Sequence, residues 1–135
     1  MRPVIDTPKA YRSKSPLAQA IVDGDFIFVS GMPPVDAHGR TVEGDVTSQT
    51  RRVLDNIKAI LEDAGASMPD IVRTTLFYTH REDYAAIDAV YREYFGGTAP
   101  SRSAVIVAGL VRPEWRVEID AIASYPPAGD PRGDA

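Results

Sequence analysis

Residues 100–125 read PSRSAVIVAGLVRPEWRVEIDAIASY and contain two runs that favour strands over helices. The run 103–108 (SAVIVA) is apolar almost throughout, which is typical of a strand that is buried on both faces. In 116–125 (RVEIDAIASY) apolar and polar residues alternate, so this strand has two different faces. Charged Arg116, Glu118 and Asp120 are expected on one face, where a subunit contact would tolerate them only if they were paired or functional. We expect the other face to pack under helices: Val117, Ile119, Ala121, Ala123 and Tyr125.

Two amphipathic helices are predicted upstream of this strand pair. Between Asp45 and Ala64, and again between Asp83 and Phe95, apolar residues recur at spacings of three and four. Asp45 suits a helix N-cap, and Gly65 suits the left-handed residue that follows a helix. We assign the apolar face of the second helix to the core: Tyr84, Ile87, Val90, Tyr91, Tyr94 and Phe95.

Three further strands and a short one are predicted around these helices. The runs 17–22 (LAQAIV) and 25–30 (DFIFVS) flank Asp23-Gly24, and β-prone runs joined by Asp-Gly predict a hairpin. The run 71–80 (IVRTTLFYTH) is rich in β-branched and aromatic residues and should form a long strand. The resulting order is β-β-α-β-α-β-β, with a short strand near Val4 in addition.

Two helices are too few to cover both faces of such a sheet. Yet FIFV (26–29) and AVIV (104–107) are apolar on both sides, as in strands that are buried on both faces. A second copy of the chain is the economical cover, so the pattern predicts an oligomer. We therefore expect one α+β domain over 1–125, with two helices on one face of a mixed sheet, and a flexible tail over 126–135.

The composition argues against several classes of function. The 135 residues include no cysteine and only two histidines, His38 and His80, so neither a thiolate site nor a histidine-rich metal site is expected. The net charge is −4, without a Lys/Arg-rich block, which makes nucleic acid a poor partner. No apolar run approaches the roughly 18 residues of a membrane span, and residues 1–11 lack a signal-peptide core. We therefore expect a cytoplasmic protein with no membrane contact.

Arg102 and Glu118 are the residues best suited to chemistry. We expect Arg102, which opens the strand next to the last one, to lie near the rim of the face that carries Glu118 and Asp120. An arginine fork binds a carboxylate through two hydrogen bonds, and a nearby glutamate can act as a general acid or base. The alternative is a structural ion pair between Arg102 and Glu118 or Asp120. On sequence alone, Ser30-Gly31 is interpreted as a tight turn at the end of a strand.

Seven segments between residues 15 and 125 together resemble, in order and spacing, the YjgF/Rid family of reactive-intermediate deaminases. They are SPLAQAI (15–21), FVSGMPPVD (28–36), LDNIKAILEDAGAS (54–67), IVRTTLFYT (71–79), YREYF (91–95), PSRSAVIVAGL (100–110) and VEIDAIA (117–123). The resemblance implies a chorismate-mutase-like α+β fold and a homotrimer with ligand sites in clefts between subunits.

The same resemblance assigns roles to residues of this chain. Arg102 would grip the substrate carboxylate, Glu118 would lie close to the attacking water, and Ser30 and Gly31 would line the pocket. Neither a metal ion nor an organic cofactor is implied. At three pocket positions the family's best-studied subgroup has tyrosine, asparagine and cysteine, whereas this chain has Leu17, Asp88 and Ala104.

The function implied by the resemblance is hydrolytic deamination of imines or enamines that carry a carboxylate, which yields a 2-keto acid and ammonia. The three departures indicate another or larger substrate than 2-aminoacrylate. A non-catalytic trimer that senses a small carboxylate is one alternative, and it would keep Arg102 but could dispense with Glu118. An endoribonuclease or translation inhibitor is a second alternative, which the net charge of −4 disfavours.

Overall fold

A six-stranded mixed sheet with two helices on one face makes up the computed structural model, which describes residues 3–125. The strands are β1 (Val4–Ile5), β2 (Ala20–Asp23), β3 (Phe26–Met32), β4 (Ile71–Tyr78), β5 (Ser101–Ile106) and β6 (Val117–Ser124). The helices are α1 (Val46–Asp63) and α2 (Tyr84–Phe95). Across the sheet the order is β1-β2-β3-β6-β4-β5, and β4 and β5 pair in parallel.

The predicted α+β class and element order are confirmed, including the short strand near Val4 and the hairpin between β2 and β3. Gly24 occupies the hairpin turn with a φ of 61°, a backbone conformation that glycine adopts at little cost. The N-cap of α1 is also as predicted, because the Asp45 side chain accepts a hydrogen bond from the Ser48 N–H at 2.9 Å.

Several strand boundaries differ from the prediction. β3 continues through Ser30 and Gly31 to Met32, so the tight turn expected at these two residues is wrong. β2 begins at Ala20 rather than at residue 17, because the Gln19 side chain is bound to the N-terminal segment, where it accepts from the Thr7 N–H at 2.7 Å. β5 covers 101–106 rather than 103–108, because its extent follows the parallel pairing with β4.

The hydrophobic core lies between the helices and one face of the sheet. As predicted, Val117, Ile119, Ala121 and Ala123 of β6 are buried there. The two helices contact each other as well, and Arg51 of α1 forms a hydrogen-bonded ion pair with Glu93 of α2 at 2.8 Å. This packing fixes α2 above the far edge of the sheet, next to β5.

Within residues 3–125, the opposite face of the sheet has no helix over it and exposes apolar side chains. Phe26, Phe28 and Val105 are 43%, 44% and 42% exposed, although all three belong to strands. These residues lie in the runs that were predicted to be apolar on both faces. We call this surface the open face.

Two predictions concern the membrane and the C-terminal tail. Among residues 3–125 there is no helix long and apolar enough to cross a membrane. The predicted flexible tail, 126–135, lies outside the described residues.

Candidate active site

Glu118 lies on the open face with few polar contacts. It pairs across the sheet with Phe77 of β4 and is half-buried. Within residues 3–125 it has neither a hydrogen-bond partner nor an ion-pair partner. Burial, together with the negative charge of Asp120 two residues along the strand, raises the pKa of Glu118 above its ordinary value of 4.5. A carboxyl group of this kind exchanges protons more readily near neutral pH than an exposed glutamate does.

Gly31 makes room for the Glu118 carboxylate. A Cβ atom at position 31 would lie 2.5 Å from Glu118 Oε2 and 3.1 Å from Glu118 Cδ. Gly31 belongs to a stretch of β3 where the register with β6 shifts between Val29 and Met32. The irregular strand and the missing side chain together allow the carboxyl group to lie directly against the backbone.

Ser30 connects this part of β3 to the loop before β2. Its hydroxyl donates a hydrogen bond to the Ala18 carbonyl at 2.7 Å, and its N–H donates to the Gln19 carbonyl at 2.9 Å. In the same loop Leu17 is 51% exposed. Ser30 therefore holds the loop that carries Leu17 beside Gly31. We call Ser30, Gly31, Glu118 and Asp120 the Glu118 cluster.

Arg102 is held by three side chains of α2. Its Nη1 lies 2.8 Å from Asp88 Oδ1, and its Nη2 donates a hydrogen bond to the Tyr84 hydroxyl at 2.9 Å. The guanidinium carbon lies 4.6 Å from the centre of the Tyr91 ring and 5.5 Å from that of Tyr84. Partial burial works against the charged form, but the hydrogen bond and charge of Asp88 outweigh it and raise the pKa of Arg102. We call Arg102, Asp88, Tyr84 and Tyr91 the Arg102 cluster.

Arg102 and Glu118 lie on opposite faces of the sheet, so the expectation that they share one face is wrong. Arg102 pairs with Thr74 of β4, which is fully buried on the helix side. Phe77, the partner of Glu118, is three residues further along the same strand and therefore points the other way. Within the chain, Arg102 pairs with Asp88 and not with Glu118 or Asp120, the partners of the structural alternative.

The other site residues predicted from the sequence divide between the two clusters. Ala104 follows Arg102 by two residues on β5 and lies on the helix side of the sheet, whereas Leu17 belongs to the loop beside Gly31. Tyr84 and Tyr91 were both assigned to the core, which is confirmed for the buried Tyr91 but not for Tyr84, which is 40% exposed. Both rings also contact the guanidinium group. Their spacing with Asp88, at positions i, i+4 and i+7 of one helix face, was the available signal.

A cavity of about 210 Å³ adjoins the Arg102 cluster. It is large enough for a small molecule rather than a polymer. Asp88, Tyr91 and Arg102 line it on one side, and Arg92 and Phe95 of α2 line it further along the helix.

Metal-ligand geometry is not found in the described part of the chain. Over residues 3–125, no group of three or more His, Cys, Asp or Glu side chains is arranged to hold a metal ion. His80 shares a hydrogen bond of 2.7 Å between its Nδ1 and the Thr79 hydroxyl, and His38 lies on the surface in the turn between β3 and α1.

Comparison with known proteins finds relatives of similar length that match nearly the whole chain. The model of the family described as endoribonuclease L-PSP matches residues 7–125. A RutC family protein of Pyrococcus abyssi is 47% identical over 89% of this chain and 94% of its own length. The 2-iminobutanoate/2-iminopropanoate deaminase of Escherichia coli (strain K12) is 40% identical over 91% of this chain and 98% of its own.

A solved structure shares the fold over almost its whole length. The crystal structure of Escherichia coli TdcF with bound serine superposes with a TM-score of 0.85 at 38% sequence identity. The match covers 90% of this chain and 98% of TdcF. The shared fold therefore extends over nearly the whole of both chains.

Proposed function

The chain belongs to the endoribonuclease L-PSP family, also called the YjgF/Rid family, and on this premise we propose that it is a hydrolytic deaminase. Its substrates are imines or enamines that carry a carboxylate, and its products are a 2-keto acid and ammonia. Support comes from the relative named 2-iminobutanoate/2-iminopropanoate deaminase and from the TdcF structure, whose bound serine is a small carboxylate with a nitrogen on the neighbouring carbon.

The observation that carries this proposal is the environment of Glu118. The half-buried carboxyl group has a raised pKa and no protein partner within residues 3–125, so both of its oxygens are available to a water molecule or a substrate. A structural glutamate in a similar position would be expected to have a cationic or hydrogen-bonding partner. A free carboxyl group beside a backbone with no side chain is suited to general acid–base chemistry.

The chemistry needs little beyond positioning and proton transfer. Water adds to the carbon of the protonated imine while Glu118 takes a proton from the water, and the C=N π electrons move to nitrogen to give a neutral carbinolamine. Glu118 then passes this proton to the nitrogen, and the C–N bond breaks as the hydroxyl oxygen forms C=O. The hydroxyl proton returns to the Glu118 carboxylate and then to solvent as ammonia leaves. Arg102 holds the substrate carboxylate through charge-assisted hydrogen bonds, which fixes the carbon that is attacked.

We further propose that the site is assembled from two copies of the chain in a homotrimer. Because Arg102 and Glu118 lie on opposite faces of one sheet, they can act on one substrate only if each comes from a different copy. The open face supports this arrangement, since Phe26, Phe28 and Val105 are apolar and exposed in the isolated chain. In a closed three-membered ring each copy offers its Glu118 cluster to one neighbour and its Arg102 cluster to the other.

Other features of the proposal follow from the sequence. We place the protein in the cytoplasm, with the functional domain in residues 1–125 and the tail outside it, in keeping with the match over 7–125. The reaction as written requires neither a metal ion nor an organic cofactor. Activity should therefore survive dialysis against EDTA, and a loss that a divalent cation restores would contradict this part of the proposal.

A coupled assay tests the activity itself. An amino-acid oxidase generates imines from a panel of amino acids, and formation of the 2-keto acid is followed with and without the protein. We expect faster keto-acid formation for at least one member of the panel, with Glu118→Gln as the inactive control. Equal rates with and without the protein for all members would reject the deaminase in favour of the non-catalytic carboxylate sensor.

A further inference from the structure

Asp88 places a negative charge directly beside the proposed carboxylate-binding group. Asp88 Oδ1 lies 2.8 Å from Arg102 Nη1, and the side chains of both residues are about one-fifth exposed, at 23% and 19%. No hydrogen bond to its second oxygen, Oδ2, is found within residues 3–125. The cluster therefore offers a ligand one cation together with one carboxylate oxygen that accepts no hydrogen bond from the described residues.

A simple carboxylate is a poor match for this pair of charges. Bound to Arg102, it would lie within about 6 Å of the Asp88 carboxylate, a distance at which like charges repel appreciably. The repulsion is removed if the ligand carries a positive charge next to its own carboxylate. A protonated imine next to a carboxylate has this charge pattern.

We propose that Asp88 selects carboxylates whose neighbouring carbon bears a protonated nitrogen, and that it accepts a hydrogen bond from that nitrogen. This inference rests on the proposed function for its choice of site, and it names the reacting form of the substrate as the 2-iminium carboxylate. The protonated form is also the stronger electrophile, so stabilising it beside an anion favours attack by water.

The geometry around Arg102 indicates where that nitrogen lies. In a planar 2-iminium carboxylate the nitrogen lies beside one of the two carboxylate oxygens. That oxygen binds either Nη1 or Nη2 of Arg102, so the substrate nitrogen comes close to the side chain that flanks the same Nη atom. The Nη1 end is flanked by the charged Asp88, and the Nη2 end by the neutral hydroxyl of Tyr84. The protonated nitrogen therefore belongs at the Nη1 end.

Arg92 provides a matched control. It lies one helical turn beyond Asp88 and lines the same cavity, but it forms no ion pair with Asp88 among the described residues. Replacing Arg92 changes the charge near the cavity by one unit without removing the anion beside Arg102. Loss of a cation weakens the binding of an anion at least as much as that of a zwitterion, so it should not lower the preference for a ligand with a positive nitrogen.

Calorimetric titration with two unreactive ligands tests the inference. L-2-Aminobutanoate and 2-oxobutanoate share a carbon skeleton, and only the first carries a positive nitrogen next to the carboxylate. In Asp88→Asn we expect the affinity ratio of aminobutanoate over oxobutanoate to fall about tenfold, with oxobutanoate binding more tightly than to the wild type. In Arg92→Gln the ratio should not fall, because loss of a cation weakens the anionic oxobutanoate at least as much as the zwitterionic aminobutanoate.

A change in affinity that has opposite signs for the two ligands separates recognition of the nitrogen from a merely structural role of Asp88. If Asp88 only held Arg102 in place, both ligands would weaken in parallel and the ratio would not change, and that result would overturn the inference. Asp88→Ser repeats the measurement should the asparagine variant fold poorly. Because neither ligand is hydrolysed, a wild-type protein without deaminase activity would reject the proposed function while the ratio still decides the role of Asp88.

Discussion

Arg102 and Glu118 lie on opposite faces of the same sheet, with strand β4 between their strands. Each is surrounded by its own cluster, one against helix α2 and the other against Gly31. Neither cluster alone contains both a carboxylate-binding cation and a free general base. The candidate active site is therefore divided between two surfaces that only a second copy can bring together.

Replacement of Arg102 should weaken both ligand binding and turnover. Loss of two charge-assisted hydrogen bonds to the substrate carboxylate raises the free energy of the transition state by on the order of 2–3 kcal/mol. Arg102→Ala should therefore reduce kcat/KM about thirtyfold to a hundredfold. Arg102→Lys should restore only part of this, because an ammonium group cannot reproduce the fork. Steady-state kinetics on protein of verified oligomeric state measure the effect. Unchanged kcat/KM in a folded Arg102→Ala variant would show that the residue is structural.

A methyl group at Gly31 should disable Glu118 without unfolding the protein. The added Cβ would lie 2.5 Å from Glu118 Oε2, so the carboxyl group must rotate away from the site. We expect turnover to fall roughly tenfold to a hundredfold, since small displacements of catalytic groups have effects of this size. Gly109→Ala is the matched control, because a Cβ there meets no atom within 4 Å. Wild-type turnover in Gly31→Ala would argue against the proposed position of the base.

Glu118 should lower the stability of the folded protein at neutral and alkaline pH. Burial and the nearby Asp120 raise its pKa above 4.5, so the charged form is less favourable in the folded state than in the unfolded one. The destabilisation is absent below pH 4.5, where the group is protonated in both states, and it is complete above the raised pKa. Glu118→Gln should therefore unfold at a higher temperature than the wild type at pH 8, and this advantage should disappear towards pH 4.

The exposed Glu62 of α1 provides the control for this pH series. Glu62→Gln should show no comparable gain in melting temperature at pH 8. If Glu118→Gln melted below the wild type at pH 8, the carboxylate would have a stabilising partner, and the structural interpretation would be preferred.

Light scattering should show a homotrimer of about 44 kDa, three times the chain mass of 14.7 kDa. A charge on the open face should break it, so Phe28→Asp is expected to reduce the mass towards that of one chain. Val111→Asp is the control, because Val111 is 86% exposed and lies outside the strands. A 14.7 kDa species of the wild type at micromolar concentration would contradict the proposed assembly.

Local sequence patterns were enough to predict most of the fold. The alternation in β6 and the three- and four-residue spacing in α1 reflect burial on one side of each element, which the structure confirms at Ile119 and Leu54. The face of Arg102 could not be obtained in this way, because Ala104, Val105 and Ile106 are apolar at consecutive positions. Its orientation depends on the register between β5 and β4, which is a long-range pairing.

The contacts within the Arg102 cluster also depend on long-range packing that local sequence patterns do not reveal. Tyr84, Asp88 and Tyr91 share one helix face, and helical spacing alone indicated a core role for the two tyrosines. Tyr91 is buried as predicted, but packing of α2 over β5 also places the guanidinium group against both rings. The identity of the residues was visible in the sequence, but their common partner was not.

Subunit mixing tests the divided site most directly. Arg102→Ala and Glu118→Gln are each expected to retain only about 3% of wild-type activity or less as pure trimers. A 1:1 mixture of the two variants is unfolded, refolded together and assayed. If Arg102 and Glu118 act from different copies, every mixed trimer contains one intact site, and about a quarter of wild-type activity should return. Each variant refolded alone is the control. Activity that stays at the level of the separate variants, in trimers shown to be mixed, would contradict a site shared between copies.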